Sequence, residues 1–94
     1  VTIIKIYIVA ASGFDGIDDN LYQNVRAFRD ESKAREFFEF ECRSCKDEAS
    51  GIYEEGDEPC YNITANEFND FADYWRNDGP TAFQWHVEIY SCTV

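Results

Sequence analysis

Two stretches at opposite ends of the chain alternate their side chains with a period of two, and this limits the possible folds more than any other feature. Between Thr2 and Ala10, the residues Ile4, Ile6, Ile8 and Ala10 fall on one face and Ile3, Lys5, Tyr7 and Val9 on the other. Near the other end, Phe83, Trp85, Val87 and Ile89 alternate with Gln84, His86, Glu88 and Tyr90. Successive side chains of a strand point to opposite faces, so both stretches read as strands with at least one apolar side. A chain of 94 residues supports a single modest core, and one compact domain over residues 1–94 is expected. With eight Phe, six Tyr and two Trp but no Met and only Leu21 as leucine, that core has to be largely aromatic.

Between these strands, Ser12 to Asn20 is rich in turn-forming residues and Gln23 to Phe28 reads as a second strand, which gives a hairpin with a long loop. Asp30 is placed to cap a helix whose apolar stripe is Ala34, Phe37, Phe38, Cys42 and Cys45. Its other face alternates Glu31, Arg35, Glu39 and Arg43, a solvated, charge-balanced pattern, and Phe40 lies off the stripe. Ser50-Gly51 ends this helix, and an irregular acidic loop follows to Ile63. Thr64-Ala65-Asn66-Glu67 matches a capping box, in which hydroxyl and carboxylate satisfy reciprocal backbone donors. It predicts a second helix with Ala65, Phe68, Phe71, Ala72 and Trp75 buried and Asp78-Gly79-Pro80 as its stop. The expected fold is α+β, with an antiparallel sheet of three or four strands and two helices packed on one face, in the order β-β-α-loop-α-β.

The formal net charge is −11, and it is concentrated. Residues 50–78 hold Glu54, Glu55, Asp57, Glu58, Glu67, Asp70, Asp73 and Asp78 against Arg76 alone. Such a balance opposes direct binding to nucleic acid or to anionic membranes, because both need Lys and Arg to neutralise phosphate. The longest apolar run is too short to span a bilayer and lacks the basic start of a signal peptide, so a cytoplasmic protein is expected. On the predicted second helix, Asn66, Asn69, Asp70, Asp73 and Asn77 form a row of amides and carboxylates about 5–6 Å apart, flanked by Glu67, Tyr74 and Asp78. Together with Glu54, Glu55, Asp57 and Glu58, this row is the candidate partner-binding surface, one that imitates the charges of a nucleic-acid strand. A solvated face that only keeps the protein soluble is the competing explanation.

No other constellation points to chemistry. A calcium loop starting at Asp15 fails at Ile17 and Arg26. Cys42 and Cys45 have the opening spacing of a zinc site, but Cys60 and Cys92 lie far apart, so reduced structural thiols are expected while zinc and disulfides remain alternatives. His86 is the single histidine, and no nucleophile-elbow, phosphate-loop, dinucleotide or zinc-protease motif accompanies it. Neither enzymatic activity nor a cofactor is expected.

The carboxylates at Glu54, Glu55, Asp57, Glu58, Glu67, Asp70, Asp73 and Asp78, on so small a domain, resemble the small acidic phage antidefence proteins, namely anti-CRISPR and DNA-mimicking antirestriction proteins. The resemblance is one of class and implies an inhibitor in the host cytoplasm. Its partner would be a basic nucleic-acid-binding protein, such as a CRISPR effector or a restriction enzyme. The alternative is an acidic or zinc-stapled protein-interaction module without mimicry.

Overall fold

The computed structural model describes residues 3–15, 20–76 and 83–94. In chain order the elements are β1 (Lys5–Asp15), β2 (Asn20–Phe28), α1 (Glu31–Ser50), β3 (Ile63–Glu67), β4 (Phe71–Arg76) and β5 (Phe83–Thr93). The strands form one sheet in the order β2-β1-β5-β4-β3, and every neighbouring pair is antiparallel. Among the described residues there is one helix, and it covers one face of the sheet.

The predicted second helix is a hairpin. Thr64-Ala65-Asn66-Glu67 lies in β3, where Thr64 pairs with Trp75 and Glu67 with Ala72. The hairpin closes through Phe68 N–H, which donates to the Phe71 carbonyl at 2.8 Å. The predicted stop Asp78-Gly79-Pro80 falls outside the described residues. Phe68, Phe71, Ala72 and Trp75 suit a helical stripe, but the same segment also alternates: Ala72, Tyr74 and Arg76 are buried, while Phe71, Asp73 and Trp75 are half-buried on the opposite side. Short apolar runs satisfy both periods, and long-range pairing decides between them. β5 has an edge to fill beside it, and the aromatic and β-branched residues of 63–76 fit a half-buried pleated surface. The expected antiparallel sheet therefore gains strands at the expense of a helix.

The helix that does form follows its local signals. Asp30 Oδ1 accepts the N–H groups of Ser32 at 2.8 Å and Lys33 at 3.3 Å, satisfying two donors that a helix start leaves unpaired. Gly51 adopts φ 82°, a left-handed conformation that suits glycine; its N–H reaches the Glu48 carbonyl and the Ile52 N–H the Asp47 carbonyl. The buried stripe is Ala34, Phe38, Glu41, Cys45 and Ala49, with Phe37 and Cys42 packed at its margin and Phe40 exposed. Burial raises the Glu41 carboxyl above its usual pKa, a shift partly offset by a hydrogen bond from Asn24 at 3.3 Å and by the charge of Arg26.

The helix packs on Val9 and Ala11 of β1, Ala72 and Tyr74 of β4, and Phe83, Trp85, Val87 and Ile89 of β5. The face of β1 built from Ile6, Ile8 and Ala10 is the one without a helix. Gly13 is the reason for part of this choice: the Trp85 ring lies directly against it on the helix side, where a larger residue has no room. The opposite sheet face, apolar along the first half of β1 and largely polar along β5, is thus left uncovered.

Candidate functional site

The residues expected to bind a partner do not form one row. Glu54, Glu55, Asp57 and Glu58 are exposed in the loop after α1, whereas Asn69 and Asp70 are exposed at the tip of the β3–β4 hairpin. Between the two groups the chain runs through β3, five residues and about 17 Å long. Asn66 and Glu67 are exposed on that strand, and Glu67 pairs with Lys46 at 3.2 Å. Asp57 turns inward on its own loop, where its Oδ2 accepts the N–H groups of Tyr53 at 3.1 Å and Glu54 at 2.9 Å. Among the described residues Glu54, Glu55, Glu58 and Asp70 make no ion pair. Asn77 and Asp78 lie outside the described residues.

Asp73 lies on the uncovered sheet face, where the β3–β4 register makes Asn66 its direct neighbour and leaves the other predicted residues apart. Its Oδ1 lies 2.6 Å from His86 Nδ1, across the β4–β5 register in which the two residues are direct partners. Glu88 Oε2 stands 3.6 Å from His86 Nε2. Burial alone would lower the His86 pKa, but the hydrogen bond and charge of Asp73, joined by Glu88, outweigh it and raise the value. The folded state therefore holds this proton more tightly than the unfolded chain. The stabilisation is complete below the unfolded value of about 6.5 and is lost as pH rises through the raised folded value. Replacing Asp73 by Asn removes the charge but keeps the burial, so the His86 titration followed by proton NMR should move down. A His86 pKa unchanged by that substitution would show that Asp73 does not hold the proton.

The His86–Asp73 pair belongs to a trough of about 660 Å³ on the helix-free face. Strand register builds it from two adjacent cross-strand rows. One row runs Gln23, Ser12, His86, Asp73 across β2, β1, β5 and β4. The next runs Leu21, Phe14, Gln84, Trp75 across the same strands. The intervening residues of each strand point to the helix side and leave their backbone as the floor. Phe14 and Trp75 are half-buried and make no ring contact among the described residues, and Ser12, Gln23 and Gln84 make no side-chain hydrogen bond there. Of these trough residues, Asp73 alone stood among the acidic and amide residues expected to bind a partner. The polar side of the closing strand, Gln84 and His86, was visible as a pattern; its partners became visible only with the register.

The cysteines do not assemble. Cys42 and Cys45 point from α1 toward the sheet, where burial pushes their thiols up to about 11 and about 12, so neither offers a thiolate near neutral pH. Cys60 and Cys92 are exposed, and all four are free. Among the described residues no three His, Cys, Asp or Glu side chains converge on a point that would hold a metal ion. No described helix is long and apolar enough to cross a membrane. Comparison with family models, with curated proteins and with solved structures returns no match to this chain.

Proposed function

We propose that this chain is a non-enzymatic binding protein that docks its acidic surface on a Lys/Arg-lined groove of a nucleic-acid-handling protein, in the manner of the phage antidefence inhibitors it resembles. The observation that carries the reading is the surplus charge of −11, displayed in part by Glu54, Glu55, Glu58 and Asp70 without ion-pair partners among the described residues. The regular spacing of a helical row is no longer part of it. In its place stand two acidic groups at either end of a short hairpin, and the loop group is ordered by the Asp57 carboxylate. Such groups accelerate encounter with a basic groove and set register more than they add affinity. Cytoplasmic action on a CRISPR effector or a restriction enzyme fits this chemistry.

The test is competition: the protein should displace a DNA oligonucleotide from a purified effector or restriction enzyme. Changing Glu54, Glu55 and Glu58 to Gln and Asp70 to Asn should weaken this about tenfold at low salt, since each exposed charge contributes a few tenths of a kcal/mol. Added salt should weaken the unmodified protein in the same way. Displacement indifferent to both salt and the four neutral substitutions would overturn the reading.

A further inference from the structure

We infer that the trough on the helix-free sheet face is a binding site for an uncharged planar heteroaromatic molecule, a nucleobase or nucleoside, held over Gln84 between Phe14 and Trp75. The register places these two rings on the strands flanking β5, with Cα atoms about 10 Å apart across the sheet. A slot is left above Gln84 with an aromatic side chain on either side. Neither ring has an aromatic or cationic partner among the described residues, so both are free to stack on a ligand. Sheet faces that carry aromatics bind bases by this kind of stacking.

The polar groups match the edge of such a ring. The Gln84 carboxamide offers a donor and an acceptor side by side, the pair that a base edge reads in both hydrogen-bonding directions. Ser12 and His86 stand in the adjacent row, and neither Ser12 nor Gln84 makes a side-chain hydrogen bond among the described residues. A volume of about 660 Å³ lies in the range of small-molecule sites, and mixed aromatic walls with a few convergent polar groups are their usual lining.

The charge sets a limit on the ligand. Among the described residues no Lys or Arg lines the trough, His86 is already engaged by Asp73, and the chain carries −11. A phosphate would be repelled and unpaired, so the site favours the base or nucleoside over the nucleotide. This inference is independent of the acidic-surface proposal, because the four unpaired carboxylates at the loop and hairpin tip are not part of the trough.

The test uses adenosine, guanosine, cytidine and uridine as probes, titrated to about 5 mM, a range that reports affinities near 1 mM and tighter. Binding is read by the Trp75 indole N–H resonance and by backbone amide shifts. At least one nucleoside should give a saturable response confined to the trough strands, with its 5′-monophosphate binding about tenfold more weakly at low salt. Trp75→Ala should weaken binding about tenfold through lost stacking. Gln84→Ala, at an exposed position that leaves folding intact, should weaken it about fivefold. No saturable response from any of the four, an equally tight monophosphate, or binding that survives Gln84→Ala unchanged would each overturn the assignment.

Discussion

Replacing Arg76 by alanine is expected to lower the unfolding free energy by about 3 kcal/mol, a loss in the range of a broken buried polar cluster. Arg76 is 8% exposed at the end of β4, and its guanidinium lies between two rings, 3.8 Å from the Tyr61 centroid and 4.7 Å from that of Phe83. Its Nε donates to the Ala49 carbonyl at 3.0 Å and Nη2 to the Glu48 carbonyl at 3.4 Å. These carbonyls end α1, whose last turn has no basic residue of its own. A cation brought from a strand thus complements the negative end of the helix dipole, satisfies the Ala49 carbonyl and adds a second donor to the Glu48 carbonyl, which already accepts the Gly51 N–H. Nη1 is buried without a hydrogen-bond partner among the described residues, which subtracts from the gain. Arg76→Met retains much of the stem and so should recover about half of the loss. Urea denaturation measures both variants, and amide exchange at Gly51 and Ile52 should accelerate in each. A methionine variant as stable as the unmodified protein would show that the stem, not the charge, holds this corner.

The clarity of each element in the sequence follows from where its signals reside. Asp30 and Gly51 mark the ends of α1 because a cap acts within three or four residues, and the structure contains both as expected. The strands around Tyr7 and Val87 were legible because their alternation persists over many residues. Residues 64–76 were not, because Thr64 and Glu67 carry a genuine capping pattern that three-dimensional pairing overrides. A capping box offers about 1 kcal/mol, less than a hairpin gains by burying Ala72, Tyr74 and Arg76 and extending the sheet beside β5. The same error displaced the candidate site. With a helix over 64–78, Asp73 belongs to a solvent-facing acidic row; with β4 in place, it faces His86 instead. The charge balance was readable throughout, since it requires no geometry. The trough was not, because Phe14, Gln84 and Trp75 come from three strands and only their register makes them neighbours.

Gly13→Ala is expected to destabilise the fold by about 3 kcal/mol, at the upper end of what overpacking a core costs. A methyl group at Gly13 would stand 2.6 Å from Trp85 Cε3 and 2.8 Å from Cε2, and closer still to Cδ2. Neither side can yield easily. Gly13 lies in β1, which is hydrogen-bonded to β2 on one edge and β5 on the other. The indole is 6% exposed, with the Tyr22 ring 4.7 Å away and the Phe83 ring 5.7 Å away. The clash is therefore specific to the ring, and a double-mutant cycle isolates it: in a Trp85→Val background, which removes the indole, Gly13→Ala should cost much less. Equal costs in the two backgrounds would place the glycine's role in the backbone rather than beneath the indole. The consequence reaches the opposite face, because Gly13 and Trp85 are register partners immediately beside Ser12 and His86. A shift of β1 away from β5 at this point separates Ser12 from His86 and Phe14 from Gln84, so Gly13→Ala should also widen the trough, while the His86–Asp73 pair, which spans β5 and β4, should keep its raised His86 pKa. A glycine chosen for packing under the helix is in this way also a determinant of the geometry on the face the helix leaves open.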